Sequence, residues 1–219
     1  MNIKSNKSQF IQNPFSLLIL NKAANYNTPT KIKIASFIGF TPMTKEELKN
    51  AVKLWCSNEE EALIKYGHIS KWNVQNITDM SAMFEGCKKF NQSLNKWNVS
   101  NVTTMSCMFS NCNNFNTSLN NWNVSNVTDM KKMFFRCRSF NQPLNSWNVS
   151  NITNIYRMFL GCYDFNKPLN NWSVNFVNNL SRSVNFVNNL SSSVNFVNNL
   201  SRSLNKVHDL DTKCQEGFS

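Results

Sequence analysis

The chain has only two histidines, His68 and His208, and no Cys-x2-Cys knuckle, so the usual ligand set of a zinc site is missing. It also lacks a long apolar run. The best, FSLLIL at residues 15–20, is shorter than a signal peptide's apolar core and far too short to span a membrane. Acids are scarce: 12 against 23 Lys and Arg, for a formal net charge of +11. That excess is spread out, with ten bases against five acids in residues 1–71, nine against four in 72–172 and four against three in the remainder. Nucleic-acid binding needs charge gathered on one face with readers beside it, so the spread argues against a nucleic-acid partner. No group of His, Asp, Glu, Cys or Ser stands out from its surroundings as a catalytic set would. The expectation is a non-enzyme without cofactor or metal.

What the chain does have is a period of 25 residues. Trp72, Trp97, Trp122 and Trp147 mark four units, with Trp172 in the same phase, and Cys87, Cys112, Cys137 and Cys162 follow at the same spacing. So do Phe90, Phe115, Phe140 and Phe165, and Leu94, Leu119, Leu144 and Leu169. A fixed period of this length marks a stacked array, in which each unit buries its apolar face against its neighbours. At about 4.8 Å per turn, four units make a stack only about 20 Å long. Its two apolar ends then require caps.

Within one unit, Val102, Met105, Met108, Phe109 and Cys112 fall along one side of a helical or 3₁₀ segment. Trp97 and Val99, two apart, point to one face of an extended chain, which predicts a short strand between Leu94 and Val99. The expected fold is an α/β repeat, a short leucine-rich-repeat-like right-handed solenoid with one strand and one helical segment per unit. Asparagines at Asn91, Asn95, Asn98 and Asn101 and their equivalents suit the corners, where a side-chain amide bonds its own loop. Asn-Val-Ser and Asn-Val-Thr are also glycosylation acceptors, but asparagines tied into turns are poor ones.

Four of the seven cysteines stand at one repeat position, where neighbouring side chains point in parallel, a poor start for disulfide geometry. Buried free thiols are the expectation, and they lean toward a reducing compartment. Cys107 pairs with Cys112 only in the second unit and carries no redox motif. Lys131, Lys132, Arg136 and Arg138 in the third unit, with Arg157 one turn on and Lys88 and Lys89 two turns back, are the candidate basic patch. A solvated face is the plain reading, and a weak anionic-ligand or nucleic-acid site, on an intracellular adaptor or otherwise, is the sharper alternative. Gly86 and Gly161 share a position held by Asn111 and Arg136 in the middle units, so that corner does not strictly require glycine.

The segments WNVSNVTDM, MFxxC and FNQPLNxW resemble the 25-residue repeats of BspA-like leucine-rich-repeat surface proteins, over residues 48–175. The resemblance implies a non-catalytic repeat domain, surface-located and engaged in adhesion or host contact. It supplies no catalytic residues to carry over. Location stays open, the resemblance pointing to the surface and the free thiols to the interior of the cell. The partner is expected to be an unidentified protein.

By segments, residues 1–42 read as poorly structured or loosely docked, with the Lys-Ile alternation of 31–40 a strand at most. Residues 43–71 read as a helical cap: Thr44 and Glu47 form a capping box, Ser57 and Glu60 repeat it, and Gly67 stops the second helix. Trp55, Leu63 and Ile64 are expected to cover the first turn. Residues 72–172 hold the four repeats. A ten-residue motif then recurs through 173–212 without MetPhe or Cys, and 213–219 is a tail.

Overall fold

The computed structural model describes residues 26–169 and Trp172. Helix α1, Thr28–Ile38, comes first. Of the two sequence expectations for this stretch, a strand or a loosely docked segment, the strand is corrected here. Asn27 supplies the reason: its side chain accepts from the Thr30 amide at 3.1 Å and its carbonyl from the Lys31 amide, so a cap overrides the two-residue alternation. Phe40, just beyond, is buried against Tyr66 and Trp72 with ring centroids 4.6 and 5.1 Å away.

Helix α2, Lys45–Ser57, begins at Thr44, whose hydroxyl accepts from the Glu47 amide. The Glu47 carboxylate returns to the Met43 amide rather than to that of Thr44. Helix α3, Glu59–Tyr66, is capped by Asn58, not Ser57, whose hydroxyl instead donates back to the Lys53 and Leu54 carbonyls. Gly67 ends α3 at φ 69°, its amide donating to the Leu63 carbonyl. Helix α3 packs against both α1 and α2. Trp55 is buried edge-on to Trp72 at 5.8 Å, and Leu63 packs against the core, whereas Ile64 is only half-buried.

From Trp72 onward the chain makes successive turns that stack in parallel with a 25-residue register. Isolated parallel bridges join Asp79 to Thr104, Thr104 to Asp129, and Asp129 to Asn154. They lie away from residues 94–99, where the alternation of Trp97 and Val99 predicted a strand and the backbone instead runs as turns and irregular chain. Residues 80–87 are not helical either. The amides of Met80, Ala82, Phe84 and Gly86 donate to the Thr104, Ser106, Met108 and Ser110 carbonyls of the next turn, at 2.8–3.0 Å. The amides of Met83, Glu85 and Cys87 bond within their own turn. Every second peptide is thus aimed along the stack, which a helix cannot do because its amides all point along its own axis. The positive φ of Ala82 and Gly86, repeated at Cys107 and Asn111, Lys132 and Arg136, and Arg157 and Gly161, produces this alternation.

The apolar spacing nevertheless puts the expected residues inside. Met105, Met108, Phe109, Cys112, Phe115 and Leu119 are all completely buried, as are their counterparts in the third turn. Rings form columns: Phe84, Phe109, Phe134 and Phe159 stack at 5.3–5.8 Å, and Phe90, Phe115, Phe140 and Phe165 at 5.8–6.0 Å. The FSLLIL segment, the ten-residue motif and the tail lie outside the described residues.

Candidate interaction surface

A site has to be sought among side chains the stack does not consume, and the stack consumes most of its polar repeat positions. The indole N–H groups of Trp97, Trp122, Trp147 and Trp172 each donate to a carbonyl 28 residues back, at 2.9–3.1 Å. Trp72 has no turn before it and donates to the Tyr66 and Gly67 carbonyls of the cap. Asn101, Asn126 and Asn151 donate their amides to carbonyls of the preceding turn, while Asn91, Asn116 and Asn141 accept from the following one. Thr103, Thr128 and Thr153 donate their hydroxyls to carbonyls 25 residues back. These bonds satisfy backbone groups that a corner would otherwise leave bare.

The described cysteines are three buried thiols, one disulfide pair and the half-exposed free Cys107. The thiols of Cys112, Cys137 and Cys162 donate to the Phe84, Phe109 and Phe134 carbonyls at 2.8–2.9 Å. Burial pushes the Cys112 thiol up to about 12, and Cys137 and Cys162 are raised further by the same cause, so all three stay protonated and inert near neutrality. Cys87 departs from the free-thiol expectation, since it forms a disulfide with Cys56 of α2. The parallel-rung argument fails at the first rung because no earlier turn stands before it: α2 does. The signal was present in the sequence as one cysteine in the cap and one at the start of the ladder.

Beside this disulfide a cleft of about 750 Å³ opens between α2 and the first turn. Lys49 and Lys53 from α2 face Lys88 and Lys89 across it, over a floor that includes Trp55 and Phe90. The lysines of α2 were not foreseen, because sequence spacing does not say which side of the cap meets the stack. Elsewhere, Lys45 bridges Asp79 at 2.8 Å and ties the start of α2 to the first turn. Partial burial alone would raise the Asp79 carboxyl. The Lys45 ammonium and the Ser81 hydroxyl and amide outweigh it and hold that carboxyl below its ordinary value.

Lys131, Lys132, Arg136, Arg138 and Arg157 come together on the third and fourth turns, all of them exposed except the half-buried Lys132. All but Lys131 lie over aromatic rings that the sequence reading did not single out. Lys132 and Arg136 lie 5.6 and 5.0 Å from the Phe135 centroid, Arg138 5.9 Å from Tyr163, and Arg157 4.9 Å from Tyr156. Arg136 also extends over Gly161, where a Cβ would meet its Cγ at 3.1 Å. Lys88 and Lys89 are two turns away on the same side, since Lys88, Asn113, Arg138 and Tyr163 occupy one repeat position whose backbones bond across turns.

No group of three or more His, Cys, Asp or Glu stands close enough to hold a metal among the described residues. His68 packs edge-on to Trp55 and bonds Ser70 at 2.8 Å. Among the described residues no helix is long and apolar enough to cross a membrane.

The family described as Mycoplasma protein of unknown function, DUF285, matches the chain over residues 55–172 and again over 99–197. The chain belongs to this family. Neither the curated proteins nor the solved structures contain a match. The family's boundary at Trp55 falls inside α2, so the last residues of that helix and all of α3 belong to the matched region together with the repeats.

Proposed function

We propose that this chain is a non-catalytic repeat protein of the BspA-like leucine-rich-repeat kind, a short right-handed solenoid that presents one side to a macromolecular partner at a cell surface. The observation that carries this reading is the division of labour among the side chains. Periodic polar groups bond the backbone of neighbouring turns, while departures from the period gather in one exposed basic and aromatic strip on the third and fourth turns. A stack built this way offers a recognition surface rather than a reactive centre.

The Cys56–Cys87 disulfide supports the surface location, because such bonds persist in oxidising compartments. It offsets the lean toward the cell interior, which rested on the ladder cysteines being free thiols. An intracellular adaptor is the alternative reading, and one test separates the two. Whole cells that produce the protein are treated with protease, and the chain is then analysed by intact mass without reductant. Cleavage from outside and a Cys56–Cys87 linkage are expected. A protected chain with all thiols reduced would sink the surface assignment.

A further inference from the structure

We infer that the partner of the basic strip is a linear acidic polysaccharide, one carrying sulfate or carboxylate groups on most of its sugar rings. The inference rests on the interaction reading above and specifies its ligand. Among the described residues none of Lys131, Lys132, Arg136 and Arg138 forms an ion pair with an acid, so their charge is available to an anion. Guanidinium groups offer paired donors that match the oxygens of sulfate and carboxylate.

A single-stranded nucleic acid is held by stacking bases on exposed ring faces. Here the Phe135 ring is approached by both Lys132 and Arg136, Tyr156 by Arg157 and Tyr163 by Arg138, all cations of the protein's own. Phe135 and Tyr156 are half-buried beneath these cations and act as rests that fix their direction, while Tyr163, 54% exposed, stands at the edge of the strip beside Arg138. Such a strip reads anionic charge and leaves base faces unread.

Lys88 and Lys89 edge the first turn, the second presents Asn113 and Asn114 at the same positions, the third Arg138 and Ser139, and the fourth Tyr163 and Asp164, where the acid ends the run. At about 4.8 Å per turn, cations, amides and cations follow one another over about 10 Å. Amides suit sugar hydroxyls and cations suit acid groups, and an extended polymer laid across the turns meets both in order. The cleft beside α2 adds Lys49 and Lys53 next to Lys88 and Lys89, but Glu59 and Glu85 also line it, so the strip on the third turn is the main anion-binding surface.

The test is calorimetric titration of the full chain with heparin fragments of defined length near physiological salt. A thymidine oligonucleotide of matched charge and a neutral dextran serve as comparisons. Replacing Lys131, Lys132, Arg136 and Arg138 together by Gln should weaken heparin binding at least about tenfold and flatten its salt dependence. The charge-matched control, Lys31, Lys33, Lys71 and Lys96 to Gln, should change it by less than about threefold. Should the fourfold variant misfold, Lys131→Gln with Arg138→Gln touches no residue at positive φ and should still weaken binding about threefold. Equal losses in strip and control variants, or tighter binding of the oligonucleotide than of heparin, would overturn the inference. Cell adhesion separates the two readings. Adhesion that persists after lyase digestion of acidic polysaccharides would leave the interaction function standing and remove this ligand, while no adhesion at all would remove both.

Discussion

The three buried thiols show how a residue that looks chemically reactive becomes structural. Each fills a slot against the preceding turn and donates to its carbonyl, and burial keeps the proton on. Alkylation of the native protein should therefore label the half-exposed Cys107 and spare Cys112, Cys137 and Cys162 until urea is added, as peptide mass mapping would record. The same thiols make stability sensitive to alkali. Above the ordinary thiol value of 9 the unfolded chain releases protons that folded Cys112 holds up to about 12. Their stabilising effect is therefore complete below 9 and declines as pH rises beyond it, by about 1.4 kcal/mol per pH unit for each thiol. Urea melts at pH 8 and pH 10 would read this. At neutral pH, Cys137→Ala should cost about 2 kcal/mol, from the gap and the orphaned Phe109 carbonyl, and Cys137→Ser distinctly less.

At the scale of the element, the segment spanning residues 80–87 and its copies depends on two positive-φ residues per turn. A non-glycine residue in this conformation costs about 1–2 kcal/mol. Ala82, at φ 54°, is held there by the stacked carbonyls, so Ala82→Gly should stabilise the fold by about 0.5–1 kcal/mol in denaturant melts. Gly86→Ala should cost about 1 kcal/mol, because nothing crowds its Cβ. Gly161→Ala should cost clearly more, since its Cβ would press on Arg136; equal costs would show that Arg136 does not lie there. The Lys45–Asp79 bridge is partly exposed, so Lys45→Met should lose only about 0.5 kcal/mol at pH 7. Because the Asp79 carboxyl is lowered, that contribution is present above its ordinary 3.8 and disappears as pH falls through its lowered folded value. The helical or 3₁₀ segment that sequence spacing suggested rested on Val102, Met105, Met108, Phe109 and Cys112, which fit one face of a helix as well as one side of a turn. Spacing reports which residues are inside, and the backbone path is decided by where the amides find acceptors.

Over the whole molecule, the cap and the stack form one hydrophobic body closed at the first turn by a covalent link. The disulfide joins residues 31 apart. By loop-closure entropy it should contribute about 3–4 kcal/mol, most of it through the unfolded chain. Reduction, or Cys56→Ser, should therefore lower the melting temperature, and peptide mapping without reductant should recover residues 56 and 87 in one linked fragment. Recovery of both as separate thiol peptides from the native protein would contradict the pairing. Substitutions in the basic strip, which touch few core contacts, should leave the melting temperature nearly unchanged while altering binding. That contrast between a stabilising periodic interior and a dispensable aperiodic surface is what the proposed interaction role requires.

The period alone was enough to name the interior. Trp, Met, Phe, Cys and Leu at fixed spacing can be buried together only if the turns stack, and the sequence also marked the two helical starts at Thr44 and near Ser57. It located the cations of the third unit as well. Tertiary structure decided matters that depend on what lies across from a residue. It sent every second amide of residues 80–87 to the next turn, paired Cys87 with α2 where no earlier turn exists, made α1 a helix through the Asn27 cap, and laid Arg136 and Arg138 over the following turn. Periodicity specifies what is equivalent within an array. At the ends of an array, and on its surface, neighbours are no longer equivalent, and only the folded chain brings them face to face.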